Sequence, residues 1–308
     1  MPEQDAYDDP PPGPDTHGAE DWPLLQGFPT HLVLVSTPIG NLGDVTSRAI
    51  AVLKSADLVL CEDSRVTGRL LFALGLRAKL ESLHDHNEEG RIPALLAAAR
   101  AGRRLALVSD AGTPLVSDPG YRLVRAFAAE GLRITALPGA NAAVTALTLS
   151  GLPPQPFLFL GFPPPKSAAR RAAFASLRAA EGAGLAATII WYEAPHRVLE
   201  TLDDLLVIFG ERPAALAREL TKHFEEVRRG TLGELRASVE ADPPRGEICL
   251  LLGPGSSETT PETDLDSLLR AALAQARLRE AVAQVAAETG LPRRQVYARA
   301  LALSEDKT

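Results

Sequence analysis

The stretch Ser109-Asp110-Ala111-Gly112-Thr113-Pro114-Leu115-Val116-Ser117-Asp118-Pro119-Gly120 concentrates small, polar and conformationally special residues. Ala111-Gly112-Thr113 leaves the main chain bare, so a ligand can approach its N–H and C=O groups. Asp118 also fits a purely structural role, capping a helix that begins near Pro119. A second polar loop, Thr37-Pro38-Ile39-Gly40-Asn41-Leu42-Gly43-Asp44, follows an apolar run. It lacks the GxGxxG spacing of a dinucleotide fold, so it does not present a pyrophosphate to a helix N-terminus in that manner. The Walker phosphate loop, the HExxH metal helix and the GxSxG nucleophile turn are absent from the sequence as well. His84-Asp85-His86 suggests a metal pair by its spacing alone.

These loops need elements to hold them. His31–Val35 reads as a buried strand, followed by a helix at 45–55 and a second strand at 57–61. The alternation continues with a helix near 65–74, a short apolar piece near Leu80, a helix at 92–101, strand 105–108, helix 121–130, strand 133–137 and helix 142–150. Strands alternating with helices imply parallel βαβ units, hence an α/β domain over residues 30–152. Ligands in such sheets sit beyond the carboxyl ends of the strands, so loops 36–44, 62–65, 109–118 and 138–142 should share one crevice. A second α/β domain is expected over 153–253. It would hold strand 157–162, helix 168–180, strand 187–192, helix 198–209, strand 214–220, a turn, and strand 247–252. Residues 254–263 have linker composition. Residues 264–308 give three short amphipathic helices, at 265–276, 278–289 and 293–303. Ala286, Gly290 and Val296 have helix-turn-helix spacing there, and a small packed bundle fits the same pattern.

Composition narrows the class. Apolar residues make up 45% and charged residues 23% of the 308, as in a globular protein with a real core. The net charge of −7 lies entirely in the first thirty residues, which carry seven acids and no Lys or Arg. Residues 1–29 are expected to be disordered, because they cannot bury enough apolar surface to offset ordering. The remaining body is neutral, so contact with nucleic acid must come from local patches. Cys61 and Cys249 make no disulfide framework and no CxxC, and they sit in or at the end of apolar runs, which suits buried thiols in a reducing cytoplasm. No apolar run approaches a membrane span, and the N-terminus lacks signal-peptide patterning.

Seven segments carry a resemblance. LVSTPIGNLGDVTSRA, LCEDSRVTGRLL, SDAGTPLVSDPG, LPGANAAVTALTLSGLP, FLGFPPPK, YEAPHR and ALARELTKHFEEVRRG occur in this order over about residues 31–253. Together they resemble the ribosomal RNA small subunit methyltransferase I family, of the tetrapyrrole-methylase superfamily (class III methyltransferases). Ser64 departs slightly, since the family usually has Thr there, but the hydroxyl is kept. The acidic tail is not part of the pattern.

The resemblance implies two α/β domains with S-adenosylmethionine in the cleft between them, a C-terminal helical domain and a homodimer. It implies transfer of a methyl group to a cytidine ribose 2′-hydroxyl in the decoding region of 16S ribosomal RNA within the small subunit. Carried over by motif, the cofactor residues are Pro38, Asp110, Ala111, Gly112, Thr113, Pro114, Val116, Asn141, Ala142, Tyr192, Glu193 and Leu220. Core packing at strand ends is the other role that fits Tyr192 and Leu220. The family likeness also makes His84-Asp85-His86 a substrate or dimer loop, and no metal is required.

Methyl transfer from a sulfonium is an in-line displacement with a good leaving group, so positioning carries much of the catalysis. A base taking the hydroxyl proton helps further. Carboxylates titrate near about 4 unless burial raises them. Asp63 and Glu62 are the candidates, with Asp44 in reserve. Asp44 equally suits a helix cap, and Glu62 and Asp63 equally suit pairing with Arg65 or Arg69. The target nucleotide must be splayed from its stack and read through its 2′-hydroxyl. Lys166, Arg170, Arg171, His196, Arg197 and Lys222 could grip phosphates, although a solvated helix face also accounts for Arg170 and Arg171. Two rivals remain. One is a tetrapyrrole-type small-molecule methylase, whose relatives favour a GxGPGD first loop where this chain has TPIGNLGD. The other is a non-catalytic ribosome-assembly factor using the helical tail.

Overall fold

Continuous apolar runs build the first sheet. In the computed structural model, which describes residues 31–255, 262–274, 276–289 and 293–305, β2 (Leu58–Cys61) and β4 (Leu105–Val108) are buried at every position. Such all-apolar strands belong to a parallel sheet covered on both faces. With β1 (Leu32–Val35), β3 (Leu80–Ser82) and β5 (Ile134–Leu137) they form a parallel sheet in the order β3-β2-β4-β1-β5. One face packs on α1 (Ser47–Ser55) and α2 (Ser64–Ala73) through Val52, Leu53 and Leu71. The other packs on α3 (Glu88–Arg100) and α4 (Tyr121–Ala129) through Leu95, Leu123 and Phe127.

Helix α3 starts at Glu88, four residues before the expected Ile92. The Asn87 side chain accepts from His84 N–H at 2.9 Å and donates to Ser82 O at 3.1 Å, which sets the turn. Glu88 and Glu89 then complement the helix N-terminus. Pro93 lies inside this helix.

Helix α5 (Ala142–Ser150) leads into a second sheet, of order β6-β7-β10-β8-β9. Its strands are β6 (Phe157–Phe159), β7 (Thr188–Glu193), β8 (Pro213–Arg218), β9 (Glu226–Thr231) and β10 (Ile248–Leu252). Here β6 runs parallel to β7, while β10 is antiparallel to both β7 and β8, and β9 to β8. Helices α6 (Ser167–Gly182), α7 (Val198–Phe209) and α8 (Leu232–Ala241) cover one face through Phe174, Leu202, Leu205 and Leu235. The opposite face is covered by the first domain: Ile39, Ala143, Ala146 and Leu147 pack on Ile190, Ala215, Ala217 and Leu251. Helix α5 is thus a shared wall.

Two expectations are corrected here. Residues 221–246 hold a strand and a helix where only a turn was expected. Strand β8 ends at Arg218 rather than 220, because Glu219 and Thr221 turn into the left-handed region at φ 49° and 65°. The three terminal helices, α9 (Glu262–Leu273), α10 (Leu278–Thr289) and α11 (Arg293–Glu305), share a core of their own that includes Leu269, Val285 and Val296. Arg299 Nε donates to Asp266 Oδ1 across that bundle at 2.7 Å. The expected disordered tail at 1–29, most of the expected linker and the turn at Gly290 lie outside the described residues. Among the described residues no helix is long and apolar enough to cross a membrane.

Candidate active site

The loops that leave β1, β4 and β5 are tied to one another. Thr37 N–H donates to Gly112 O at 2.9 Å, and Gly112 N–H returns to Thr37 O at 3.1 Å. Thr37 Oγ1 donates to Ser109 O at 3.2 Å, and Thr113 Oγ1 to Ala140 O at 3.0 Å. Gly112 has φ +80°, and a Cβ there would meet Ile39 Cγ2 at 3.2 Å. A bare backbone is therefore required at the point where the first two loops cross. Asn41 reaches the second domain, where its N–H donates to Thr221 Oγ1 at 3.1 Å.

Between the two domains lies a cleft of about 410 Å³. Asp110, Ala111, Gly112, Thr113, Val116, Asn141 and Ala142 line it from the first domain, and Tyr192, Glu193 and Leu220 from the second. Pro38 and Pro114, expected alongside them, are not in its lining. Sequence reasoning missed Ile39, Ser117, Asp118, Phe162, Ala194, Pro195 and the run Gly246–Cys249, which also line it. The last group was hidden by the rule that ligands sit at carboxyl ends of strands. Because β10 is antiparallel, its first residues reach the rim where β7 ends, with Ile248 opposite Glu193 and Cys249 opposite Tyr192.

The walls are largely apolar, and the mouth is acidic. Tyr192 packs edge-on to Phe159 and Phe162 with ring centroids 4.8 and 5.7 Å apart. Burial pushes its phenol up to about 12 and likewise the Cys249 thiol up to about 12, so neither ionises near neutrality. The Glu193 carboxylate accepts from Ala194 N–H at 2.8 Å and Thr201 Oγ1 at 2.6 Å, which seats the loop after β7.

Three of the acids differ sharply in state. Asp63 caps α2, accepts Arg65 N–H at 2.8 Å and pairs with Arg65 Nη2 at 2.6 Å. The Arg65 hydrogen bonds hold it down to about 2, which makes it a weak proton acceptor. Glu62 is exposed and outside the cleft lining, and its carboxyl is pushed up by desolvation and then by Asp110 and Asp85. Asp118 is pushed up to about 7, by burial first and then by Glu62 and Asp110. Asp44 is exposed at the end of a single 3-10 turn, Leu42–Asp44, and the α1 cap is Thr46, whose Oγ1 accepts from Ala49 N–H at 3.1 Å.

The basic residues proposed for phosphate contact separate too. Arg170 is a correction: it is fully buried, with Nε donating to Asp204 Oδ2 at 2.7 Å, so it cannot meet a phosphate. Neighbouring Arg171 is half exposed and pairs with the same Asp204. Arg197 Nη2 donates to Pro163 O at 2.8 Å and anchors the Pro-rich loop. Lys222 binds Glu219 and Glu247, each at 2.9 Å. Lys166 and His196 are exposed and enter no ion pair among the described residues.

S-adenosylmethionine fits this set of groups. The main-chain N–H and C=O of Gly112 are taken by Thr37 and Ser109, so main-chain contact with the donor falls to its neighbours Ala111 and Thr113. Apolar surface is offered by Ile39, Val116 and Leu220, and the carboxylates at the mouth suit a sulfonium cation.

The family model of tetrapyrrole (corrin/porphyrin) methylases matches residues 31–236, and that of the RsmI C-terminal HTH domain matches 259–304. Among solved structures, the methyltransferase CobJ superposes with a TM-score of 0.54 at 18% identity, covering 73% of this chain and 94% of its own. Uroporphyrin-III-C-methyltransferase from Thermus thermophilus gives 0.50 at 24% identity, over 72% of this chain and 93% of its own. These likenesses establish the fold. The ribosomal RNA small subunit methyltransferase I of Mesorhizobium japonicum is 44% identical over 89% of this chain and 92% of its own. The protein of the same name from Micromonospora olivasterospora is 50% identical over 86% and 85%. That from Escherichia coli O157:H7 is 44% identical over 88% and 94%. The chain therefore belongs to the ribosomal RNA small subunit methyltransferase I family, within the tetrapyrrole methylases, and is an S-adenosylmethionine-dependent methyltransferase.

Proposed function

We propose that this protein transfers the methyl group of S-adenosylmethionine to the ribose 2′-hydroxyl of a cytidine in the decoding region of 16S ribosomal RNA. It acts on the small subunit, as a homodimer, in the cytoplasm. The observation that carries the reading is 41–50% identity, over nearly the whole length, to relatives named for small-subunit ribosomal RNA methylation. That identity spans both walls of the cleft and the helical C-terminus.

When bound, the donor supplies an electrophilic methyl group. Ala111 and Thr113 would hold it by main-chain contacts, beside a Gly112 whose lack of a side chain leaves the room, with Asn141, Ala142, Tyr192 and Leu220 completing the walls. The first-loop sequence TPIGNLGD, unlike the Gly-rich loop of small-molecule relatives, supports an RNA acceptor. Lys166, Arg171 and His196 are the side chains of this set left exposed to meet phosphates, and such contacts set register rather than sequence.

The test is methyl transfer from labelled S-adenosylmethionine to small subunits that lack their own modifications, with the product mapped by resistance to alkaline cleavage. One resistant site at a decoding-region cytidine is expected. Cofactor binding without incorporation would overturn the ribosomal reading and favour a small-molecule acceptor.

A further inference from the structure

We propose that Asp118 accepts the proton of the ribose hydroxyl as the methyl group transfers, with Glu62 and Asp110 as positioning residues; this rests on the ribose reading above. The argument begins with what Asp118 does not do. Its place in the sequence suits a cap for α4, but the N-cap residue is Gly120, which has no side chain. The third N–H of that helix, at Leu123, is taken instead by Glu88 Oε1 from α3 at 2.7 Å. Among the described residues the Asp118 carboxylate enters no hydrogen bond and no ion pair, whereas Asp63 is forked by Arg65 and Asp110 accepts from Asp63 N–H at 3.2 Å. Asp118 is nonetheless half-buried and lines the cleft.

The backbone that presents it is unusual. Leu115 and Ser117 both lie in the left-handed region, at φ 70° and 68°, flanked by Gly112 and Gly120 at 80° and 119°. Non-glycine residues rarely adopt that conformation, and such strain collects where a side chain must be aimed. A Cβ on Gly120 would meet Leu107 Cδ2 at 2.5 Å, so the loop lies tight against β4 and has no room for a side chain there. Structure is spent to turn an unpartnered carboxyl into the cleft.

The groups that face it come from three elements. Glu62 lies at the end of β2, Asp110 on its own loop and Tyr192 on β7. Burial first, and then the two carboxylates, oppose its ionisation and push it up to about 7. A carboxylate in that range is a far better acceptor than Asp63, held down to about 2.

The step balances without further reagents. The ribose oxygen forms a bond to the methyl carbon as the carbon–sulfur bond breaks. The sulfonium takes that electron pair and becomes a neutral thioether. The hydroxyl proton passes to Asp118 and from there to solvent.

The experiment is single-turnover methylation of unmodified small subunits at saturating S-adenosylmethionine, from pH 5.5 to 9, with the ribose product mapped in each case. Wild type should rise to a plateau with a midpoint near 7. Asp118→Asn should lose on the order of a hundredfold or more of the plateau rate, together with the inflection. Glu62→Gln should remain active with its midpoint moved to lower pH, because one of the charges opposing ionisation is gone. Calorimetry with S-adenosylmethionine shows whether Asp118→Asn is folded; if it is not, the Glu62→Gln midpoint decides, and an unmoved midpoint overturns the proposal. Asp118→Asn within threefold of wild type with the same inflection also overturns it, while leaving the ribose reading intact. Absence of any ribose product from wild type overturns both.

Discussion

Glu88 Oε1 accepts the Leu123 N–H at 2.7 Å, so helix α4 is capped by an acid from the preceding helix instead of by its own leading residue. Glu88 is buried for this purpose. Glu88→Ala leaves a buried N–H without a partner, a loss on the order of 1–2 kcal/mol. Glu88→Gln keeps an acceptor and should recover most of it. Urea denaturation of the two variants side by side checks this, and equal stability of the two would refute the cap.

The pH dependence of stability should carry the signature of Asp118. Its folded carboxyl titrates at about 7 and its ordinary value is 3.8, so the folded chain holds the proton more tightly. Below the ordinary value both states are protonated and the stabilising contribution is complete. As pH rises the unfolded chain ionises first, and stability is lost until pH passes the folded value. Asp118→Asn removes the effect. Its melting temperature should match wild type near pH 4 and exceed it at pH 8, by a free energy on the order of 1–3 kcal/mol. A gap that does not grow with pH would contradict the assignment.

Asp204 holds Arg170 and Arg171 together with Ser167, whose hydroxyl donates to it at 3.0 Å. Asp204→Ala strands the buried Arg170 guanidinium and should cost about 3–5 kcal/mol. The double variant Arg170→Met with Asp204→Leu should regain much of that loss, because no buried charge remains. Chemical denaturation of the single and double variants separates these outcomes.

Gly40 marks the contact of the first loop with the second domain. A Cβ there would strike Lys222 Cγ and come within 2.9 Å of Leu220 O, which is main chain and cannot swing aside. Gly40→Ala must displace the turn that carries Leu220, and with it one wall of the cleft. S-adenosylmethionine affinity should fall about tenfold, or ~1.4 kcal/mol, by calorimetry. Gly90→Ala is the control, since nothing lies within 4 Å of its Cβ and affinity should not change.

Much of this arrangement was legible because it is local. Apolar runs such as Leu105–Val108 and the Gly/Ser/Pro-rich loop after them place a parallel sheet and its crevice directly. Long-range pairing was not legible. Arg170 and Arg171 look alike in sequence and both meet Asp204 on α7, but only Arg170 shares the buried face of α6 with Phe174. Asp118 reads as a cap until Glu88 is seen to hold that place. Strand β9 and helix α8 were missed because EVRRGT has no apolar alternation, although Thr231 and Glu234 form a capping box whose spacing was there to be read.

That polar strand has one more consequence. A sheet margin with free N–H and C=O groups invites another chain to add to it, and charge is a common defence. Strand β9 is such a margin. Its Arg228 bridges Glu226 and Asp242, and its Arg229 Nε donates to Leu149 O at 3.0 Å. The same residues that disguise β9 as a loop protect the protein from edge-to-edge aggregation.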